Sequence, residues 1–455
     1  MHRQTSKAIE QWAASPNPRP LLLRGARQTG KSWLVSNLRL GTGSDVAVVN
    51  LERDPSIASA FASNDPRTIV TELEVHLRRP IQPGRTVLFL DEIQQAPSLL
   101  AKLRWFAEEL PALHVVAAGS LLDFALATHE FSMPVGRVTY GHLEPMTFAE
   151  FLDAVGEERL RAAIQAATVR DPLPQSLHER AATLHRDYVL VGGMPAAVAE
   201  WVESRSFARV TTRHRDVLAS TRDDFAKYRR RIDPTRIEKV FAALPRLVGR
   251  KFQPTQVDRD ERSQSLKEAF RMLAMARVVT PVRRTAANAI PLGAEVDERY
   301  EKVCLLDVGL FASMSGIDAA GLPGDAATRF ANHGQLAEQF VGQELRACRP
   351  FDQEPALFTW VREAKNSNAE VDYVLQVGTR VVPIEVKAGA PGSLRSLHVM
   401  VAEKGLDLGV RVGPGALQLT DVATSTAVGG KRTFRLLSVP FAMVSEIPRL
   451  VRSLE

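Results

Sequence analysis

The stretch Gly25-Ala26-Arg27-Gln28-Thr29-Gly30-Lys31-Ser32 decides the fold of the N-terminal part of this 455-residue chain. It follows the apolar run Leu21-Leu22-Leu23 and precedes a segment whose apolar residues have helical spacing. A strand, a glycine-bounded loop and Lys-Ser at a helix start are the context of a phosphate-binding P-loop. The glycines let backbone N–H groups curl around a β-phosphate, and the helix start adds partial positive charge. We therefore predict that these residues bind ATP or another nucleoside triphosphate, with Lys31 at the β- and γ-phosphates and Ser32 on Mg²⁺.

A second apolar run, Thr86-Val87-Leu88-Phe89-Leu90, ends in Asp91-Glu92. An unbroken apolar run is typical of a strand that is buried on both faces. An acid at the carboxyl end of such a strand can hold Mg²⁺, and a neighbouring glutamate can polarise the attacking water. Asp91 and Glu92 therefore predict hydrolysis rather than binding alone; the alternative is a solvated acidic strand end.

Two further features extend this candidate site. The apolar run His114–Ala118 ends in Gly119-Ser120, and a small polar residue at a strand tip can contact a γ-phosphate or cap a helix. With 45–51 as an intervening strand, the order of motifs resembles the AAA-type ATPases, and Ser120 stands in the place of their polar sensor. The resemblance implies that Arg137 acts on a γ-phosphate, whereas pairing with a surface carboxylate is the alternative.

Composition limits the class of protein. Hydrophobic residues make up 45% and charged residues 24%, which is typical of a globular chain, and the length predicts three or four domains. No apolar run approaches twenty residues, and the first residues lack a signal-peptide core, so we expect a cytoplasmic protein without a membrane partner. Two cysteines exclude a disulfide framework. A net charge of +6 makes a nucleic acid, with DNA favoured, a plausible partner.

The segment after the predicted ATPase core (1–145) has apolar residues at helical spacing, with a break at Gly192-Gly193-Met194-Pro195. In AAA proteins a helical lid follows the core, and the resemblance implies such a lid over 146–231. A basic stretch begins near its end. It predicts either a phosphate-binding surface or a solvated face, and its members are Arg222, Lys227, Arg229, Arg230, Arg231, Arg236 and Lys239.

The segment 232–300 has three helical patterns followed by two short strand patterns, at 278–282 and 289–292. This arrangement resembles a winged helix-turn-helix. The third helix carries Lys267 and Arg271, which can face phosphates or a major groove. Winged helices also serve as protein–protein modules, so the pattern leaves both kinds of partner open.

The last part of the chain contains a predicted hairpin. Glu370–Val377 alternates like a strand, Gly378-Thr379-Arg380 is a turn, and Val381–Lys387 is the return strand. A side-chain period of two places Glu385 and Lys387 on one face, and the hairpin can bring Asp372 beside them. Two carboxylates and a lysine suit a divalent cation and an activated water, which is the chemistry of phosphodiester cleavage.

Asp372 followed by Glu385-Val386-Lys387 resembles the PD-(D/E)XK nuclease superfamily. The resemblance implies that Asp372 and Glu385 hold Mg²⁺, that Lys387 acts on the water, and that a helix before them bears a glutamate. Glu338 is the first candidate for this glutamate and Glu344 the second. The alternative is a nuclease-like fold whose carboxylates only pair with neighbouring cations.

The whole order resembles a family of prokaryotic AAA-type ATPases with a nuclease-like C-terminal region. We therefore predict an α/β protein with a parallel-sheet AAA-type core, a helical lid, a winged helix and a nuclease-like α/β domain over 301–455. The predicted function is ATP hydrolysis coupled to nucleic acid, with Mg²⁺-dependent cleavage by Glu338, Asp372, Glu385 and Lys387. The alternatives are an ATP-driven switch with an inactive nuclease-like domain and a chaperone-like remodeller. A homo-oligomer is left open.

Overall fold

The fold is that of a computed structural model, which describes residues 3–38, 45–120, 122–124, 136–229, 231–317, 334–363, 368–389, 393–426 and 430–454. Arg230 of the basic stretch lies outside the described residues. Within these ranges, none of the helices has the length and apolar character needed to cross a membrane.

The N-terminal part is built on a parallel sheet, as predicted. Its strands are β1 (Leu21–Arg24), β2 (Asp45–Asn50), β3 (Thr86–Asp91), β4 (His114–Ala118) and β5 (Thr139–His142). Their order across the sheet is β2-β3-β4-β1-β5, and every neighbouring pair is parallel. Because parallel strands end at the same edge, the P-loop, Asp91-Glu92 and Ser120 all follow strand ends at one edge of the sheet.

Helices cover both faces of this sheet, which explains the unbroken apolar runs. Every residue of β3 is buried; Leu88 and Leu90 belong to one apolar cluster, and Val87 and Phe89 to another on the opposite face. The helices are α1 (Thr5–Ala13), α2 (Lys31–Ser36), α3 (Pro66–Leu77) and α4 (Leu99–Glu109), and a 3₁₀ helix spans Pro55–Phe61. Residues of α1 and α2 pack in one cluster and residues of α3 and α4 in the other.

The segment after the sheet is helical, as its periodicity predicts. It contains α5 (Phe148–Ala154), α6 (Glu158–Ala166), α7 (Gln175–Val191), α8 (Pro195–Ser204) and α9 (Phe207–Asp223), followed by a 3₁₀ helix, Asp224–Tyr228. Thr147 begins α5 with a capping box, in which its side chain and that of Glu150 each accept from the other's backbone N–H. Gly192 ends α7 with φ 72, which is costly for any residue with a Cβ.

The predicted winged-helix region differs from the expectation in its strands. The structure has α10 (Pro234–Leu247), α11 (Pro254–Val257), α12 (Ser263–Met275), β6 (Val279–Thr285) and β7 (Val296–Leu305). The second predicted strand, 289–292, is not a strand; the antiparallel partner of β6 is β7, which begins after a 3₁₀ helix at Leu292–Glu295. The winged-helix assignment itself stays a prediction.

The C-terminal part is a mixed eight-stranded sheet that includes β6 and β7. Its order is β12-β13-β11-β10-β9-β8-β6-β7, so the predicted domain boundary between 300 and 301 falls within a strand of this sheet. The remaining elements are α13 (Val308–Met314), α14 (Gly334–Ala347), β8 (Leu357–Arg362), β9 (Ala369–Val377), β10 (Arg380–Val386), α15 (Arg395–Lys404), β11 (Leu408–Gly413), β12 (Gln418–Thr426), β13 (Gly430–Pro440) and α16 (Ile447–Arg452). The predicted hairpin forms as β9 and β10, with Tyr373 opposite Ile384.

Candidate functional site

The P-loop connects β1 to α2 at the carboxyl edge of the N-terminal sheet. Lys31 is the first residue of α2, and its Nζ donates to the carbonyl oxygens of Gly25 (2.9 Å) and Ala26 (2.8 Å). Burial lowers the pKa of Lys31 to about 8, against the opposing effect of Glu92 and Asp91. Gly25 lies so close to the Leu143 carbonyl that a Cβ would clash, and Gly30 has φ 90. The loop therefore has the glycines where its backbone requires them.

The acidic residues at the end of β3 lie beside the P-loop. Ser32 Oγ donates to Asp91 Oδ1 at 3.1 Å, and Asn50 Nδ2 donates to Asp91 Oδ2 at 3.3 Å. Burial raises the pKa of Asp91, and the hydrogen bond from Ser32 opposes this shift. A serine hydroxyl and a carboxylate that lie within hydrogen-bonding distance of each other are typical ligands of a Mg²⁺ ion bound beside a nucleotide. Ser32 and Asp91 therefore fit a magnesium ion.

Glu92 is held in place by a residue that the sequence did not indicate. Its backbone is left-handed (φ 54), and Gln94 donates its side-chain amide to Glu92 Oε2. A Cβ on Gly119 would clash with the Gln94 side chain, so Gln94 connects Glu92 with the end of β4. Ser120 follows there, half-buried. The structure thus brings Lys31, Ser32, Asp91, Glu92 and Ser120 to one edge of the sheet.

Arg137 lies elsewhere in this chain. Its Nε donates to Glu108 Oε1 at 2.7 Å, and both residues are on the surface. Glu108 is near the C-terminal end of α4, which leads to the start of β4, and Arg137 precedes β5. Both therefore lie at the amino edge of the sheet, opposite the P-loop. Within the chain, Arg137 therefore pairs with a surface carboxylate, which is the alternative interpretation of this residue. It lies at the amino edge because β5 begins there and Arg137 directly precedes β5.

Arg3, near the N-terminus of the chain, donates a hydrogen bond to the P-loop. No sequence motif indicated this role. Its buried guanidinium donates to the Thr29 carbonyl (2.9 Å), the Glu144 carbonyl (2.7 Å) and Glu150 Oε1 (3.0 Å). Glu150 is also buried and closes the capping box of α5. Arg3 therefore connects the P-loop to the first helix after the core.

Arg3→Ala is expected to lower the free energy of unfolding by about 3 kcal/mol, because it leaves the Glu150 carboxylate buried without its cation. It should also weaken ATP binding, since the Thr29 carbonyl loses its anchor. Chemical denaturation and a fluorescent nucleotide titration measure the two effects. Arg104→Ala is the matched control, because Arg104 pairs with Glu108 at the surface. A loss no larger than that of the control would contradict the role of Arg3.

The second predicted cluster lies where β9, β10 and α14 meet. Asp372 Oδ2 accepts from the Val386 backbone N–H at 2.8 Å, and Lys387 Nζ is 2.7 Å from Glu385 Oε1. Burial and the charge of Asp372 raise the pKa of Glu385 to about 7. Asp372, Glu385 and Lys387 are therefore together, as the hairpin predicts.

The helix glutamate of this cluster has a partner that the sequence analysis missed. Glu338 Oε1 lies 2.7 Å from Nζ of Lys302, and Glu370 Oε1 lies 2.7 Å from the same Nζ. Lys302 is on β7, and its side chain is 1% exposed. Burial raises the pKa of Glu338 to about 7 despite this ammonium. Burial would lower the pKa of Lys302, but the carboxylates of Glu338, Asp372 and Glu370 outweigh it.

These residues fit the metal centre of a nuclease poorly. The Lys302 ammonium already lies between two of the carboxylates, and Lys387 holds an oxygen of Glu385. Glu385 Oε2 and Glu338 Oε1 are both buried without a hydrogen-bond partner, but Glu338 Oε1 already lies 2.7 Å from the Lys302 ammonium, and the one remaining oxygen is not a metal centre. Among the described residues, no group of three or more His, Cys, Asp or Glu side chains converges as metal ligands. The prediction that Asp372 and Glu385 hold a metal ion is therefore not supported by a ligand set.

Glu344, the second candidate for the helix glutamate, lies outside the cluster. It accepts from the Phe148 backbone N–H at 2.9 Å, and burial raises its pKa to about 8. Glu344 therefore joins α14 to the start of α5, and it is part of the core between the two regions rather than of the cluster of Asp372, Glu385 and Lys387.

The segment 306–310 and the paired glycines 192–193 form one buried joint. Asp307 Oδ1 caps α13 by accepting from Leu310 N (3.0 Å), and Oδ2 accepts from Gly193 N (2.6 Å) and Gln343 Nε2 (3.3 Å). Gly193 O in turn accepts from Met146 N at 2.7 Å. The joint therefore connects the helical segment to α14.

Three family models match the chain in succession. Residues 17–152 match the AAA domain family, residues 182–321 match a domain of unknown function, DUF8612, and residues 333–426 match a domain of unknown function, DUF4143. The P-loop and Asp91-Glu92 lie within the first match, Lys302 within the second, and Glu338, Asp372, Glu385 and Lys387 within the third. The N-terminal region is therefore an AAA-type P-loop ATPase domain.

Solved structures resemble the chain at low identity. A Walker-type ATPase of Pyrococcus abyssi is 15% identical, with 69% of this chain and 95% of that chain covered and a TM-score of 0.43. The RuvB Holliday junction branch migration motor of Thermotoga maritima is 15% identical, with 67% and 92% covered and a TM-score of 0.30. No curated protein matches the chain in sequence.

Proposed function

We propose that this protein is an ATP-driven switch, in which hydrolysis at the P-loop changes how the C-terminal regions engage nucleic acid. The observation that best supports ATP hydrolysis is the hydrogen bond between Ser32 Oγ and Asp91 Oδ1 at 3.1 Å, with Glu92 as the residue after Asp91. Among the residues of this site, Lys31 would bind the β- and γ-phosphates, and Ser32 and Asp91 would hold Mg²⁺. When bound, the ion would neutralise phosphate charge. Glu92 would then accept a proton from the attacking water.

ATP binding is tested by Lys31→Ala. Removing a charge-assisted contact to the phosphates should weaken ATP binding by roughly 1.5–3 kcal/mol. Because Lys31 is buried against the carbonyls of Gly25 and Ala26, circular dichroism must accompany the titration. A folded Lys31→Ala protein that binds ATP as tightly as the wild type would contradict the assignment.

Two ion pairs support coupling between the ATP site and the rest of the chain. Arg27 of the P-loop pairs with Asp224, just after α9. Arg277, between α12 and β6, donates to Asp123 at 2.9 Å, and its charge lowers the pKa of Lys31. A cavity of about 460 Å³ is lined by Ala26 of the P-loop and by both members of the second pair, Asp123 and Arg277. Phosphates bound at the P-loop would lie near both arginines and would compete for them.

The surface that best fits a nucleic acid is on α12. Lys267 and Arg271 are exposed on the same face of this helix, and Arg283 on β6 is exposed nearby; all three charges oppose the rise that burial causes in the pKa of Glu301. Most of the basic stretch is a weaker candidate because its charges are paired. These pairs are Arg222 with Glu238, Lys227 with Asp224, Arg236 with Glu261, and Lys239 with Asp258.

DNA affinity should therefore fall steeply with salt, and the double variant Lys267→Ala/Arg271→Ala should flatten the dependence. The log–log slope should change by about 0.9 for each side chain that neutralises a phosphate on duplex DNA. Fluorescence anisotropy at several salt concentrations measures the slope. Arg236→Ala/Lys239→Ala is the matched control, because both charges are already paired, and its slope should stay near that of the wild type. A slope that only the control changes would assign DNA binding to the basic stretch.

Phosphodiester cleavage by the nuclease-like cluster is the second candidate function. The buried Glu385 Oε2, which lacks a hydrogen-bond partner, favours it, and the ion pairs of Lys302 and Lys387 oppose it. The distinguishing experiment is incubation of DNA and RNA with Mg²⁺ or Mn²⁺, with and without ATP. Cleavage that Lys387→Ala abolishes would establish the nuclease and replace the switch proposal for this domain.

A further inference from the structure

Lys302 lies between Glu338 and Glu370, next to the cluster of Asp372, Glu385 and Lys387. Its Nζ is 2.7 Å from one oxygen of Glu338 and 2.7 Å from one oxygen of Glu370, so these oxygens lie no more than twice that distance apart. Without Lys302, two carboxylates that close would repel each other unless a cation lay between them. The ammonium is that cation, and it belongs to the chain itself.

Lys302 cannot leave this position easily. It is on a strand whose backbone pairs with Val282 on one side and bridges to Lys251 on the other, and its side chain is 1% exposed. Hydrogen bonds also hold the residues that bear the carboxylates: Tyr373 donates to the backbone carbonyl of Glu338 on α14 at 2.9 Å, and Tyr300 donates to the carboxylate of Glu370, which is 40% exposed, at 3.3 Å. The contact is therefore set by three elements of the fold rather than by a mobile surface side chain.

We propose that Lys302 is a built-in cation that excludes a divalent metal ion from the pocket between Glu338 and Glu370. A divalent ion would need to lie about 2 Å from its carboxylate oxygens, in the space that Nζ occupies. Two positive centres in that space would repel each other strongly in a buried site. The helix glutamate of the nuclease-like domain therefore binds an ammonium instead of a metal.

Substitution of Lys302 should convert the pocket into a metal site. All proteins in the test are full-length and carry Glu385→Gln, which breaks the candidate metal-binding pair of Asp372 and Glu385, so that any site gained has to involve the pocket of Glu338 and Glu370. Mn²⁺ is titrated calorimetrically without nucleotide. With Lys302 present, we expect no saturable binding; with Lys302→Met, we expect one equivalent of Mn²⁺ and a melting temperature that rises with Mn²⁺ concentration.

Two controls separate a created metal site from general effects of charge. Lys387→Met removes the other lysine of the cluster in the same background, and it should create no Mn²⁺ site. Adding Glu338→Gln to the Lys302→Met protein should abolish the gained site. Equal Mn²⁺ binding with and without Lys302, or no gain in a folded Lys302→Met protein, would overturn the proposal.

Loss of Lys302 leaves the largely buried Glu338 carboxylate and the 40% exposed Glu370 carboxylate without their cation, so the variant is assayed for folding by circular dichroism. If it does not fold, the folded protein that carries only Glu385→Gln decides the question. Absence of Mn²⁺ binding in that protein supports the exclusion of metal by Lys302, and binding that Glu338→Gln removes contradicts it. Each readout is metal binding and is independent of ATP hydrolysis.

Discussion

Glu92→Gln is expected to lower kcat for ATP hydrolysis by about 10²- to 10⁴-fold, the usual contribution of a general base. Glutamine keeps the size of the side chain and its contact with Gln94, but it cannot accept a proton from water. ATP affinity should change little, because Lys31, Ser32 and Asp91 remain in place. Phosphate release under saturating ATP measures kcat, and a nucleotide titration measures affinity.

The control for Glu92→Gln is Glu52→Gln. Glu52 is exposed just after β2, and its charge reaches Arg27 of the P-loop, so this variant removes a nearby negative charge without touching the strand end. It should hydrolyse ATP at nearly the wild-type rate. Equal turnover by wild type and Glu92→Gln would rule out Glu92 as the base and direct attention to Ser120 and Asp91.

The N-terminal site could be predicted because its signals are local. The strand β3 is an uninterrupted apolar run, and the acids stand directly at its end. The hairpin of β9 and β10 was equally readable, since two alternating runs flank a turn at Gly378. In both cases the residues that form the structure are neighbours in sequence, and the side-chain period alone determines which face they occupy.

The residues that the sequence analysis missed act across long separations. Arg3 contacts Glu150, and Lys302 contacts Glu338 and Glu370, which lie on other elements. Their neighbours in sequence give no indication of these partners, and a single lysine in a strand is normally solvent-exposed. Only the sheet, which places β6 and β7 beside β8 and β9, brings the ammonium to the carboxylates.

The strand β7 was misplaced for a different reason. It is the edge of the eight-stranded sheet, and its first half, with Asp297, Glu298 and Arg299, is charged and largely exposed. Charged residues are common on edge strands because they prevent pairing with other chains. The apolar signal therefore appears only in the second half, from Tyr300 onwards, and the sequence pattern instead indicates a strand at the short apolar run 289–292.

Asp307→Ala is expected to lower the free energy of unfolding by about 3–5 kcal/mol, because Gly193 N and Leu310 N would be left buried without an acceptor. Asp307 is fully buried, and its two oxygens connect the turn after α7, the start of α13 and Gln343 of α14. Urea denaturation followed by circular dichroism measures the loss. The free energy of unfolding of Asp307→Asn should lie between those of the wild type and Asp307→Ala. The amide keeps one acceptor oxygen, but its NH₂ group faces a backbone N–H that needs an acceptor.

Asp65→Ala is the matched control for Asp307, because Asp65 also caps a helix, accepting from Arg67 N at 2.9 Å, but is exposed. Asp65→Ala should lower the free energy of unfolding clearly less than Asp307→Ala, since water can replace the exposed carboxylate. Asp307→Ala should also weaken ATP binding. Pro195, which follows the glycines that Asp307 holds, packs against the P-loop at Gly30. A loss of stability equal to that of Asp65→Ala, with unchanged ATP affinity, would mean that Asp307 only caps its helix and does not connect the glycine turn after α7 to α14.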